Sequence, residues 1–146
     1  MINLNEYYMR MALKEAQYAS EKDEVPIGAV IISHGHVVAK AYNQVELLND
    51  ATAHAEMIAI TSASNALGSK YLTDCAIYVT IEPCMMCAAA LYWAKIGAIF
   101  YGAGDNKYGF TRFDNNLFTL STHIEKGLMD HECSQLLKDF FKKKRE

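Results

Sequence analysis

Apolar residues recur along the chain with two periods, and the changes between them mark out the elements. From Asn5 to about Glu21, Tyr8, Met11, Ala12 or Leu13, Glu15 and Tyr18 return at a spacing near 3.6. That predicts an amphipathic helix with Asn5 as its N-cap. Val25-Pro26 closes the stretch, because proline disfavours helical geometry in the residue before it. Ile27 to Ser33 is a β-branched apolar run and reads as a buried strand. His34-Gly35 is a tight-turn pair, and His36 to Tyr42 returns as a second strand to complete a hairpin. Asn43 to Thr52 reads as a loop. Ala53 to about Leu67 is an alanine-rich helix with Gly68 as its C-cap.

The second half alternates again. Cys75 to Ile81 is a strand, and Pro83 opens a helix at its first turn, where a missing N–H costs nothing. That helix runs to about Lys95, before Gly97. Ala98 to Tyr101 is a short strand, and Gly102 to about Leu117 is irregular. Phe118 to Ile124 reads as a last strand, and Met129 to Lys144 as a final amphipathic helix. Strands alternating with single helices argue for parallel neighbours and right-handed crossovers. The sum is an α/β fold, a three-layer α/β/α sandwich around a mixed five-stranded sheet.

Length and composition narrow this picture. At 146 residues, just over half of them apolar, the chain suits one domain spanning 1–146 with a full core. A net charge of −3 makes the surface as a whole no magnet for nucleic acid, so any RNA contact has to come from a local basic patch. Met1 to Tyr18 carries charges every few positions, and no stretch reaches membrane-spanning length. The expected setting is a reducing cytoplasm, where paired cysteines bind metal or do redox work.

The chemistry lies in His54-Ala55-Glu56 and Pro83-Cys84-Met85-Met86-Cys87. A catalytic zinc ion needs three protein ligands and one open position, and His54, Cys84 and Cys87 supply that set. The cysteines are three apart at a helix start, beside the positive end of the helix dipole, which favours thiolate. Glu56 is two residues from His54 and does not share its helix face, so it is no fourth ligand. It is placed to take a proton from water and give it to a leaving nitrogen. His-x-Glu followed by Pro-Cys-x-x-Cys is the pattern of zinc base deaminases. Two other readings stand beside this one. A redox pair lacks the downstream proline of thioredoxin-like proteins, since the prolines are Pro26 and Pro83. A structural zinc would need Cys75 or Cys133 to close the set, and would leave Glu56 without a task.

Beyond the zinc motif, the chain resembles bacterial tRNA adenosine deaminases of the cytidine deaminase-like superfamily. The resemblance is carried by Glu24-Val25-Pro26-Ile27-Gly28-Ala29-Val30, Thr52-Ala53-His54-Ala55-Glu56 and Tyr78-Val79-Thr80-Ile81-Glu82-Pro83-Cys84 with Met86-Cys87-Ala88. Glu132-Cys133, Leu136-Leu137 and Phe140-Phe141 extend it. It implies one zinc ion per chain, a homodimer, and conversion of the wobble adenosine of a tRNA anticodon stem-loop to inosine. It also implies that Asn43 hydrogen-bonds the target base and that Asp105 lies near the ribose of the preceding nucleotide. A turn-forming role is the plainer reading of each. Asn106 to Thr122 departs from the family pattern, being shorter and carrying Phe110, Arg112, Phe113 and Phe118. Leu91-Tyr92-Trp93-Ala94 is similar to guanine deaminases, which keeps a free-base or nucleoside substrate (guanine, cytosine or adenine) as an alternative. Lys142, Lys143, Lys144 and Arg145 either grip an RNA backbone or form a solvated helix end. Tyr108, Phe110 and Phe113 either stack on splayed bases or pack on the domain.

Overall fold

A computed structural model describes residues 3–113, 116–118 and 121–146. The first helix, α1 (Leu4–Glu21), is capped by Asn3, whose Oδ1 accepts from the Glu6 N–H at 3.2 Å. Asn5, expected as the cap, lies inside the helix and accepts from the Tyr78 hydroxyl at 2.6 Å. The helix ends before Val25-Pro26. Asp23 takes a left-handed conformation (φ 63°), and the Glu24 N–H reaches back to the Ala19 carbonyl.

The hairpin forms as β1 (Gly28–Ser33) and β2 (His36–Tyr42), with His34 and Gly35 both at positive φ. Next come α2 (Ala55–Leu67), β3 (Cys75–Ile81), α3 (Met85–Trp93), β4 (Ala98–Ala103), β5 (His123–Glu125) and α4 (Asp130–Arg145). Gly68 ends α2 in the left-handed region, as its sequence position predicts. The fourth strand runs two residues further than expected. The fifth is confined to His123–Glu125, and the predicted stretch at 119–120 lies outside the described residues.

The sheet is mixed and five-stranded, in the order β2-β1-β3-β4-β5. Its β3–β4 and β4–β5 pairs are parallel, as strand–helix alternation predicts. Across α2 the expectation is corrected: β3 does not pair with β2 but lies antiparallel to β1, with Ala29 opposite Val79. The first strand inserts between the two strands that α2 connects.

Both faces of the sheet are covered. Ala29 and Ile31 of β1, Ile77 and Val79 of β3, and Ile99 and Tyr101 of β4 face a core shared with α2 and α3. Val30, Ile32, Tyr78 and Phe100 face a second core shared with α1 and α4. Alternate residues of β1 thus enter different cores, which explains its unbroken apolar run. The buried stripe of α1 is Met9, Ala12, Ala16 and Ala19 with Glu15, offset from the predicted one, and Tyr18 stays exposed. The small residues follow from close approach: a Cβ on Gly28 would collide with the Ala12 carbonyl. No helix among the described residues is long and apolar enough to cross a membrane.

A candidate metal centre and its cleft

Two helix N-termini converge at the site. His54 is the N-cap of α2 and Cys84 the N-cap of α3, both with extended backbone, and neither side chain caps its own helix. Pro83 therefore precedes the cap, two positions earlier in role than its predicted place at the start of the helix. Its carbonyl accepts from the Phe110 N–H at 2.9 Å, and Cys84 bridges to Gly109, so both residues stay extended. Cys84 and Cys87 then occupy the N-cap and N3 positions, which face each other at the start of any helix. Here two sulfurs meet instead of a side chain and a backbone N–H.

The Cys84 and Cys87 sulfurs lie 3.6 and 3.5 Å from His54 Nδ1. All three donor atoms fall within 4.8 Å of one another, a group able to bind a metal ion. The four cysteines are free thiols. Neither Cys75 nor Cys133 belongs to the group, so no fourth protein ligand closes it among the described residues. The hydrogen bond from the Cys87 thiol, seconded by His54, pulls Cys84 down to about 4, well into the thiolate range. Cys87 is pushed up by the same pairing and by burial, while the Cys84 contact raises His54. A cation at this spot would relieve that tension by favouring both thiolates.

Glu56 lies beside this group on the first turn of α2 and is 2% exposed. Its Oε1 is a buried polar atom with no hydrogen-bond partner among the described residues. Burial pushes its carboxyl up to about 7, where it can both take and give a proton. Leaving such an oxygen unpaired costs about 1–3 kcal/mol, and among the described residues it is the one buried side-chain oxygen or nitrogen without a partner. The donor set and the orphaned oxygen together fit a metal with an activated water.

The site forms the floor of a cleft of about 1750 Å³. Asn43 lines it, 5% exposed, and its Oδ1 accepts from the Ala55 N–H at 2.8 Å. The amide thus satisfies the first N–H of α2 that the His54 ring leaves open. Asp105 lines the opposite wall, and its Oδ1 accepts from the Lys107 and Tyr108 N–H groups at 2.9 and 3.0 Å. Its turn-forming reading is therefore fulfilled whatever else it does. The aromatic trio divides: Phe110 is buried against Tyr101 and Phe118, whereas Tyr108 and Phe113 are exposed and line the cleft. The cleft reaches Phe140, Phe141 and Lys144 of α4, and Lys144 pairs with Asp23 across its edge. His34, His36, His123 and His131 are exposed, away from the metal group.

Two residues that sequence reasoning gave no site role emerge here. Glu24 accepts from the Glu46 and Leu47 N–H groups at 3.0 and 2.7 Å. Glu82 accepts from the Asp105 N–H at 3.1 Å and from the Thr111 N–H and hydroxyl at 3.0 and 2.7 Å. Both stand in segments that carry the family resemblance, Glu24 at the end of a charged stretch and Glu82 at the end of an apolar strand, but neither position points to a partner.

Residues 3–145 match the model of the MafB19-like deaminase family. The tRNA-specific adenosine deaminase of Aquifex aeolicus (strain VF5) is 44% identical over 144 residues, covering 96% of this chain and 95% of its own. A structure from a study of A-to-I editing by tRNA:A34 deaminases at the wobble position of transfer RNA is 42% identical. It superposes with a TM-score of 0.84 over 90% of this chain and 99% of that one. The guanine deaminase of Bacillus subtilis is 40% identical with a TM-score of 0.65, over 68% of this chain and 64% of its own.

Proposed function

The chain belongs to the MafB19-like deaminases and to the tRNA-specific adenosine deaminases, and from that premise we propose that it hydrolyses the wobble adenosine of a tRNA anticodon to inosine. The observation that carries this reading is the His54, Cys84 and Cys87 group beside the buried, unpartnered Glu56 oxygen. His54, Cys84 and Cys87 would hold one zinc ion, whose borderline-soft character suits two thiolates and an imidazole. When bound, zinc supplies the Lewis acidity that activates water near neutral pH.

Glu56 moves the protons. It passes one proton of the attacking water to the ring nitrogen N1 as the C6–O bond forms, and the other to the exocyclic nitrogen, so that the C6–N bond breaks, ammonia leaves and the C6 carbonyl remains. Asn43 holds the base: its Oδ1 is fixed on Ala55, which leaves Nδ2 to donate to a ring nitrogen. Asp105, which lines the cleft, meets the ribose of the preceding nucleotide on this reading. The cleft exceeds what one base fills, which favours a nucleotide within a folded RNA. The 44% identity to the tRNA-specific relative over 96% of this chain supports the same choice.

We further read the chain as one deaminase domain that works in the cytoplasm as a homodimer. Near its C-terminal end α3 exposes Tyr92 and Trp93, the last 75% exposed, and a second copy would cover them. The deciding assay is inosine formation in an anticodon stem-loop, run beside free guanine, cytosine and adenosine. Ammonia released from guanine with the stem-loop unmodified would replace the tRNA reading with the free-base one. Glu56→Ala is expected to retain one zinc per chain by elemental analysis and to lose about 100-fold or more in kcat; zinc lost along with activity would remove Glu56 from the proton-transfer role.

A further inference from the structure

We propose that Glu24 and Glu82 are positioning residues that set the two loop walls of the cleft from the interior. That the walls receive a nucleotide rests on the function proposed above; the bracing rests on geometry alone. The two carboxylates are 2% and 5% exposed, and neither pairs with a cation among the described residues. Burying a carboxylate is costly unless each of its oxygens finds a hydrogen-bond donor. Both achieve this with the backbone of a loop far away in sequence. Glu24 reaches 22 and 23 residues ahead, to Glu46 and Leu47. Glu82 reaches 23 and 29 residues ahead, to Asp105 and Thr111.

The braced loops carry apolar side chains that face solvent. Leu47 is 63% exposed on one wall, and Tyr108 and Phe113 are 57% and 52% exposed on the other. All three line the cleft. Exposed apolar groups gain nothing for the fold, yet the backbone carrying them is tied down by charge-assisted hydrogen bonds. Such an arrangement fits a surface kept ready for flat, apolar faces such as nucleobases. Gly109 completes the second wall: any Cβ there would run into the Glu82 carboxylate, so loop and carboxylate are in direct contact.

Glutamine tests this at constant volume. The amide keeps one acceptor oxygen and turns its nitrogen toward a backbone N–H, so each substitution breaks one side of the brace. In the zinc-loaded full chain, Glu24→Gln is expected to speed amide exchange at one or both of Glu46 and Leu47 and nowhere else, and Glu82→Gln at one or both of Asp105 and Thr111 and nowhere else. The expected acceleration is about tenfold or more for a lost charge-assisted bond. With the anticodon stem-loop, KM should rise about fivefold or more while kcat changes less than about threefold, as for lost binding alone. Gly109→Ala should reproduce the Glu82→Gln pattern by displacing the carboxylate. Unchanged exchange and KM, loss of zinc, or a fall in kcat with KM constant would each overturn the proposal. Localised exchange in a protein whose wild type leaves the stem-loop unmodified would keep the brace and sink the tRNA reading.

Discussion

Under the proposed function, Asn43 divides its one amide between folding and binding. Its Oδ1 caps α2 through Ala55, and its Nδ2 has no partner among the described residues. Asparagine and aspartate share the acceptor and differ in the donor, so Asn43→Asp separates the two tasks. It is expected to keep the urea midpoint of the wild type and to lose about tenfold or more in kcat/KM, as for an unmade hydrogen bond to the base. Asn43→Ala should add a stability loss of about 1–3 kcal/mol, because the Ala55 N–H is left buried and unpaired. Equal unfolding midpoints for the two variants would remove the capping role. At this scale the metal group was legible, because N-cap and N3 spacing is local and places two sulfurs together whatever the tertiary context. The carboxylate braces were not. Glu24 and Glu82 act over 22 to 29 residues, and no periodic pattern records a contact of that span. Nor could spacing separate Phe110, which is buried, from Tyr108 and Phe113, which are not.

Elements were read well where one face of a segment decides its fate and less well where neighbours do. The hairpin, the third strand and the Gly68 stop follow from β-branched runs and a left-handed glycine. The Pro83 helix starts two residues late because Phe110 and Gly109 hold Pro83-Cys84 extended, a long-range constraint. The strand after α2 pairs with β1 and leaves β2 at the edge of the sheet, a choice of partner that strand–helix alternation does not record. The apolar stripe of α1 is displaced because the helix lies against Gly28 and admits only small residues there. This contact gives a test at the level of an element. Gly28→Ala drives a Cβ into the backbone of α1 at Ala12 and Ala16, which cannot yield as a side-chain tip would. A loss of about 1–3 kcal/mol is expected from chemical denaturation, the usual cost of overpacking. A neutral result would mean that α1 can lift from the sheet without penalty.

Taken whole, the molecule builds its cleft where helix N-termini from one layer meet the C-terminal helix of the other. The metal group and Glu56 come from α2 and α3, while Phe140, Phe141 and Lys144 come from α4. Near its C-terminal end α3 carries the exposed Trp93. Trp93→Glu is expected to convert a dimer to a monomer by light scattering without lowering zinc content. A mutant that remains dimeric would move the interface elsewhere. The sheet order described above bears on another property, colloidal behaviour. Both edges of the sheet are strands that another chain could extend. One edge, β5, is three residues long, and its His123 and Glu125 are hydrogen-bonded to each other at 2.9 Å. The other, β2, exposes Lys40 and meets β1 through a register shift at Ile31/Ile32. Short length, charge and a bulge are the devices that keep open edges from recruiting further strands. A protein with so apolar a sheet can therefore pass through partly assembled states without seeding fibrils or clumps.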